Sequence, residues 1–300
     1  MSLPIDGTVG RALIDIAPWT EQALLIGVSS ARFAFAFMLV PLFSPTIIPA
    51  TVRNSLIVAF GLIALNMDPG IAPNQLTAGG WLWLYGKEAI AGGVIGFFFG
   101  TMLWAMGAAG EIIDTKVGAT IGQLVDPMSG LQQSLTSVLL SRFAHVVFVS
   151  AGGLTLLIGT IMSSYIVWPL GSGDVRFNMA AVTLFEKEFG MFFAYAFIFA
   201  APVLIILYVI DMGLGLLNRF AQQFNVFALA MPIKAAASIF VLIIILPFIA
   251  QQVINDMVSR PNAASRTLGL VGDAERSPPP LQNAPSQAPV LPRKNSGTTP

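Results

Sequence analysis

The chain has 300 residues, of which 55% are hydrophobic and only 10% are charged, and its mean hydropathy is +0.78. Soluble domains carry about 25% charged residues, so this composition predicts a membrane protein and excludes a cytosolic enzyme. Fifteen basic residues balance fifteen acidic ones, with one histidine and no cysteine. These counts exclude a nucleic-acid-binding charge pattern, disulfides, and metal sites built from thiolates or several histidines.

Charge-free apolar runs give the predicted membrane helices, because a helix needs about 20 mostly apolar residues to cross the hydrocarbon core. In chain order, the runs cover about 21–41, about 50–67, 89–110, 143–173, 189–210 and 235–255. A further apolar segment, about 212–231, holds several polar side chains and predicts an interfacial or protein-buried helix. Barrel strands are about ten residues long and alternate strictly, and these runs do not. The predicted fold class is all-α, a multi-pass membrane protein with about six long apolar helices and one ambiguous helix.

Prolines and turn residues mark the predicted connections. Pro41, Pro45 and Pro49 predict a tight turn or a broken helix between the first two runs, and turn residues within 67–80 predict a loop. Residues 261–300 hold eight of the twenty prolines and are too polar to form a core, which predicts a disordered tail. The chain thus divides into an N-terminal segment (1–20), a helical membrane domain (21–260) and the tail (261–300).

Three glycines recur every four residues inside one predicted helix, at Gly92, Gly96 and Gly100. This spacing places them on one helix face, where the backbone of another helix can approach closely. The stripe predicts packing against protein, without indicating which helix is the partner.

Several charged residues lie within or beside apolar runs. Arg32 is about ten residues from either end of its run, and a charge at that depth is expensive, so we expect it to meet a protein partner or an aqueous pore. Arg53 lies near the start of its run. Lys87, Glu88 and Asp211 lie at run ends, where long side chains can reach the headgroups.

Residues 110–130 form the most polar segment between predicted helices. The segment mixes charged residues and glycines with apolar residues. Four charges argue against a transmembrane span, and the isoleucines and valines argue against a free aqueous loop. A segment inside the protein or across a pore fits both constraints, and so does an amphipathic surface helix.

No catalytic constellation is visible, so we expect no enzymatic activity and no bound cofactor. His145 is the only imidazole, and the chain has neither a Gly-x-Ser-x-Gly elbow nor a Walker A motif. A stand-alone secondary transporter is an alternative, although no repeated halves with broken helices are visible and acids within the long runs are scarce. A purely structural scaffold is another alternative.

Three stretches, taken in order, resemble one family over about residues 20–255. The first has Arg32, Pro41-Leu-Phe, Ile-Pro49 and Arg53; the second runs from Gly110 to Asp126-Pro127; the third has Ala201-Pro202, Asp211, Arg219 and Ala230-Met-Pro232-Ile-Lys234. Together they are similar to the T subunit of the type III secretion export apparatus, which is related to the flagellar R-type export protein. Trp168-Pro169 and the stretch around Pro232 are more similar to the injectisome branch.

The resemblance implies a multi-pass subunit in the inner membrane of a Gram-negative bacterium. It implies assembly with the R and S subunits, and with the U and V subunits nearby, into an export gate for unfolded secreted proteins. Bent hairpins of apolar helices would pack against these partners and against lipid. The residues expected to serve packing and assembly are Arg32, Pro41, Pro49, Arg53, Gly92, Gly96, Gly100, Asp211, Arg219, Pro232 and Lys234.

The resemblance also favours one of the two interpretations of residues 110–130. The stretch from Gly110 to Asp126 matches the segment that plugs the closed channel in the flagellar relative. The residues expected to form this plug and its polar contacts are Gly110, Glu111, Asp114, Lys116, Gly118, Gly122 and Asp126.

Overall fold

The structure is a computed structural model that describes residues 7–67, 77–118, 134–170, 175, 179–220 and 226–271. These residues contain seven α-helices, joined in one place by a short 3-10 helix, and no strand. In chain order they are α1 (Gly7–Leu39), the 3-10 helix (Pro41–Phe43), α2 (Ala50–Met67), α3 (Ala78–Val117), α4 (Leu135–Ser150), α5 (Gly153–Val167), α6 (Met179–Phe220) and α7 (Val226–Val271). The all-α prediction is confirmed.

Four helices are long and apolar enough to cross a membrane: α1 from Thr20, α3, α6 and α7. The α4–α5 pair gives a fifth candidate, bent by 68° at its break. The predicted single run over 143–173 is therefore two helices. Gly152, with φ of 86°, takes the left-handed conformation that ends helices, and the run of apolar residues conceals this break.

The ambiguous helix predicted over 212–231 does not exist as a separate element. Its described residues form the end of α6 and the start of α7, with 221–225 outside the described residues. Large apolar side chains at the end of α6 are exposed in this chain, Met212 at 72% and Phe220 at 83%. The chain itself therefore does not bury these side chains, and whether a partner protein covers them stays a prediction.

Helix α3 is the centre of the fold. It packs against α1, α4, α5, α6 and α7. In the 18-residue apolar stretch of α3, 72% of the residues are buried, compared with 28% in that of α6 and 17% in that of α7. The core is therefore built around α3, and α6 and α7 leave most of their apolar surface uncovered.

The α1–α2 connection follows from its prolines. Proline has no N–H to donate and cannot continue a helix, and α1 ends at Leu39, just before Pro41 starts the 3-10 helix. The Phe37 and Phe43 rings stack with centroids 3.8 Å apart. This stacking helps to fix the reversal that lays α2 back along α1.

Two predicted boundaries differ from the structure. Helix α3 begins at Ala78 under a Thr77 cap, so Gly79 and Gly80 are helical and not part of the predicted loop. Helix α7 continues through Pro261 to Val271, burying Ala264, Leu268 and Val271, so the tail does not begin at 261. The apolar side chains recur every three or four residues there, which outweighs the polar composition. The remaining tail prediction lies outside the described residues.

Candidate functional site

The described part of the predicted plug is the end of α3. Gly110, Glu111, Asp114 and Lys116 lie in its last turns, and Gly118 ends the helix with φ of 95°. The Gly118 N–H donates to the Asp114 carbonyl over 3.1 Å. Glu111 is exposed, whereas Asp114 is 6% exposed. The predicted plug residues Gly122 and Asp126 lie outside the described residues.

Asp114 ties the end of α3 to the start of α4. Its carboxylate accepts hydrogen bonds from the Ser134 hydroxyl (2.5 Å), the Thr136 N–H (2.8 Å) and the Thr136 hydroxyl. Ser134 also caps α4, accepting from the Ser137 N–H over 3.2 Å. The end of α3 and the start of α4 are thereby held together by one buried carboxylate, and we call this contact the Asp114 clamp.

Gly110 permits the close approach that the clamp requires. A Cβ at Gly110 would lie 2.3 Å from the Cα atom of Ser137 and 2.6 Å from the carbonyl carbon of Thr136. Real Cβ atoms do not approach backbone so closely, so any other residue at position 110 would force α4 away from α3. Gly110 is therefore a packing residue at the root of the predicted plug.

An ionic cluster joins α3, α6 and α7 beside the clamp. Asp211 on α6 receives Lys116 of α3 at 2.8 Å and Lys234 of α7 on its other oxygen. The Lys116 ammonium also lies 3.9 Å from the centre of the Tyr208 ring. The three charged side chains are 15% to 30% exposed. The structure thus brings together Lys116 from the predicted plug with Asp211 and Lys234 from the predicted assembly set.

Arg32 is fully buried and meets its partners within this chain. Its guanidinium makes a two-point contact with Glu88 on α3, Nε to Oε2 at 2.7 Å and Nη2 to Oε1 at 2.9 Å. It also donates to the Ser164 hydroxyl (2.8 Å) and the Trp168 carbonyl (2.9 Å), and it lies 3.9 Å over the Tyr165 ring. Arg32 therefore fastens α1 to α3 and α5.

Lys87 and Glu88 do not reach toward a membrane surface, so that expectation is wrong. They are 1% and 0% exposed. The Lys87 ammonium donates to the carbonyls of Pro169 (2.5 Å) and Leu170 (2.7 Å). The sequence carried a signal for Glu88, because it lies four residues before Gly92 and so shares the face of the glycine stripe.

The glycine stripe packs against α1. A Cβ at Gly92 would lie 2.2 Å from the Arg32 carbonyl oxygen, and one at Gly96 would lie 2.6 Å from the Ala36 oxygen. The corresponding distance from Gly100 to the Leu39 oxygen is 2.7 Å. The stripe therefore lets α1 lie directly on α3, and this approach brings Arg32 to Glu88.

The other predicted assembly residues lie apart from these clusters. Arg53 donates to the Phe43 carbonyl over 3.3 Å, and its own N–H donates to the Pro49 carbonyl, so it fastens α2 to the 3-10 helix. Pro41 begins that 3-10 helix. Arg219 is exposed near the end of α6, and Pro232 is exposed in the first turns of α7.

A second buried ionic cluster was missed by the sequence analysis. Arg260 of α7 pairs with Asp256 on its own helix, Nε to Oδ2 at 2.7 Å, and with Glu188 on α6. The Tyr195 hydroxyl donates to Asp256 over 2.9 Å. The spacing of Asp256 and Arg260, four residues apart, was the available signal. Glu188, which follows two exposed charges in sequence, carried none.

The described residues do not gather acidic and histidine side chains in the way a metal site requires. No group of three or more histidine, aspartate or glutamate side chains among them is arranged to hold a metal ion. The cavity beside Asp256 and Arg260, which Phe99, Phe148 and Met257 help to line, has a volume of about 10 Å³, enough for about one water molecule. The clusters described above are ion pairs that join packed helices.

Comparison with known proteins shows one family that matches across the described helices. Residues 23–259 match the model of the family described as bacterial export proteins, family 1. The chain is 33% identical over 217 residues to Yop proteins translocation protein T of Yersinia pestis, covering 71% of this chain and 82% of that protein.

Two further relatives extend the match. The chain is 31% identical over 238 residues to surface presentation of antigens protein SpaR of Shigella flexneri, covering 77% of this chain and 90% of that protein. It is 28% identical over 264 residues to flagellar biosynthetic protein FliR of Bacillus subtilis, covering 87% and 99% respectively. The family match includes part or all of every helix described above.

Proposed function

This chain belongs to the bacterial export proteins, family 1, and we propose that it is an export-gate subunit of a type III protein secretion system of the injectisome branch. Support comes from the relatives named for Yop protein translocation and for surface presentation of antigens, which match over most of their length. Several helices long and apolar enough to cross a membrane support a membrane location. The proposed membrane is the inner membrane of a Gram-negative host.

The proposed partners are the R and S subunits, with the U and V subunits adjacent. Helices α6 and α7 expose rows of large apolar side chains that the chain itself does not cover, among them Phe193, Phe197, Ile205, Phe240 and Ile244. Exposed apolar patches of this kind mark contacts with protein or lipid. Together with the first two helices, these surfaces would form part of the wall through which unfolded proteins pass.

The proposed gate is the segment that follows α3. The observation that carries this proposal is the pair of fixed points on either side of residues 119–133: Gly118 ends α3, and Asp114 binds Ser134 and Thr136 at the start of α4. A short segment anchored at both ends on packed helices can occupy a channel without unfolding its scaffold. Lys116 and Asp211 would steady this root from the side.

The chain is proposed to have no enzymatic activity of its own. Energy for export would come from a partner ATPase and from the proton gradient. The role of this subunit would be to form the wall and to close it against ions between export events.

A replacement of the plug tests the gating proposal. Residues 119–133 are exchanged for a glycine–serine linker of equal length, which leaves Asp114, Ser134 and Thr136 in place. We expect the complex to assemble, ion leak across the membrane to rise and secretion to change. The matched control is an equal-length replacement of residues 68–76, which should leave ion leak unchanged. Unchanged ion leak and unchanged secretion in the plug variant would contradict the gating proposal.

Crosslinking separates a gate from a purely structural scaffold. A photoreactive amino acid at position 122 should crosslink to an export substrate stalled in the channel. The same group at exposed Leu82 on α3 is the control and should not crosslink. Equal or absent crosslinking at both positions would favour the scaffold.

A further inference from the structure

We propose that the cluster of Glu188, Tyr195, Asp256 and Arg260 is a proton-binding site, and that the Glu188 carboxyl group holds one exchangeable proton. The cluster joins α6 to α7 and lies against α3. It is separate from the Asp114 clamp and from the Lys116–Asp211–Lys234 cluster. The proposal does not depend on the proposed function.

The charge balance of the cluster is the first argument. Glu188, Asp256 and Arg260 are 4%, 6% and 2% exposed, and two carboxylates share one guanidinium. Among the described residues, no second cation forms an ion pair with either carboxylate. With both acids ionised, the site would carry one uncompensated negative charge inside the protein.

The division of Arg260 between the two acids is the second argument. Asp256 takes a two-point contact, from Nε and Nη2, and also accepts from Tyr195. Glu188 receives only the Nη1 group. Asp256 is therefore the better compensated carboxylate, and the unmatched charge falls on Glu188.

Thr101 faces Glu188 from α3, and its hydroxyl donates to the Phe97 carbonyl over 2.8 Å. A threonine hydroxyl is neutral and has one proton to donate. Thr101 therefore does not replace the missing positive charge.

Within the described ranges, the other groups near the site do not supply the missing charge. Glu186 and Lys187, which precede Glu188 on α6, are exposed. From α4, Phe148 lines the small cavity beside Asp256 and Arg260. His145, one turn before it, has no hydrogen-bond partner among the described residues.

The physical consequence is a pH-dependent contact between α3, α6 and α7. A buried carboxylate whose charge is not fully matched is unfavourable, so the group takes a proton instead. In the unfolded chain the same carboxyl is ionised at neutral pH. The folded state then binds one proton more than the unfolded state, and its stability falls as pH rises.

Thermal unfolding of the full chain, purified with whatever subunits accompany it, tests the proposal. Between about pH 5 and pH 8, the wild-type unfolding constant should increase by up to about tenfold per pH unit from this site, for release of one proton. E188Q, which imitates the protonated acid, should lose this component. E186Q, an exposed acid on the same helix, is the control and should keep it. Equal pH dependence in E188Q and wild type would overturn the proposal.

Infrared spectroscopy gives a second measurement on the unaltered protein. At neutral pH, wild type should show the carbonyl band of a protonated carboxylic acid that shifts on exchange into D₂O. E188Q should lose the band, and D256N should also lose it, because one acid then matches one guanidinium. Absence of the band in folded wild type would overturn the proposal. Its persistence in E188Q would place the proton elsewhere and would also overturn it.

Discussion

Arg32 shows how one charge is accommodated inside an apolar helix. Its guanidinium donates to Glu88, to the Ser164 hydroxyl and to the Trp168 carbonyl, with Tyr165 beneath it. Removing two charges from water is expensive, and only a contact with fully satisfied hydrogen bonds offsets that expense. The pair therefore defines how α1 meets α3 more than it adds net stability.

Replacing Glu88 should be more damaging than replacing Arg32, because Glu88 is the counter-charge of both Arg32 and Lys87, whose ammonium lies 3.5 Å from its carboxylate. E88Q leaves two buried cations without a carboxylate, and we expect a loss of about 3 kcal/mol or more in unfolding free energy. R32M leaves Glu88 paired with Lys87 and should lose less. Denaturant unfolding of the purified chain measures both.

The exposed arginine provides the control for this pair. R219M should leave the unfolding free energy within about 0.5 kcal/mol of wild type, because Arg219 is exposed at the end of α6. A loss in R32M equal to or greater than that in E88Q would contradict a cluster whose stability depends on one carboxylate matching its buried cations.

Sequence reasoning found one half of this pair. The position of Arg32 in the middle of an apolar run indicated a protein or aqueous partner. Glu88 was expected at the membrane surface, because run length alone places it at an end. Glu88 lies on α3 and its partner Arg32 lies on α1. A pattern within one helix does not show a contact with another helix.

Asp211 holds two lysines from two other helices, so its loss should leave like charges facing each other. The cluster is partly exposed, and each exposed pair contributes about 1 kcal/mol or less. We expect D211N to lower the unfolding free energy by about 1 kcal/mol and, under the proposed function, to raise ion leak. D211E should stay near wild type in both. Ion leak in D211N equal to that of wild type would contradict the proposal that Asp211 stabilises the end of α3, where the predicted plug begins.

At the scale of helices, the close contact of α1 with α3 depends on glycine at particular positions. A side chain at Gly92 would meet backbone atoms of Arg32, which have no room to move without separating the helices. We expect G92A to prevent stable folding or to cost several kcal/mol by this steric clash. Thermal unfolding and protease resistance of the purified chain report it.

Gly93 is the matched control on the same helix turn. Its nearest neighbour for an added Cβ is the Leu39 Cδ1 atom, 3.8 Å away, which is an ordinary contact. G93A should be neutral or stabilise by about 0.5 to 1 kcal/mol, because alanine loses less backbone entropy in a helix. Equal destabilisation by G92A and G93A would show that helix packing, as described, is not the cause.

Helix type was predictable from the sequence, whereas helix breaks and ends were not. Long charge-free runs indicated α3, α6 and α7, and three prolines indicated the α1–α2 reversal. The break at Gly152 lies inside an apolar run and changes neither charge nor hydropathy. The end of α7 lies inside a polar region, where only the spacing of Ala264, Leu268 and Val271 marks the helix.

At the scale of the whole molecule, the chain is a core built on α3 with two long helices, α6 and α7, largely uncovered. The class of protein was predictable from the composition and from three stretches that resemble the family, because both are recognisable even between distant relatives. The roles of the predicted plug residues depend on a channel formed with other subunits. No pattern within one chain determines how that channel is assembled.

The most direct test of the central claim is a mild-detergent pull-down of the tagged chain from its native host, followed by mass spectrometry. We expect the R and S export-apparatus subunits in a stable complex with this chain. A clean monomer or homodimer without secretion partners would contradict the export-gate assignment and would favour a stand-alone transporter.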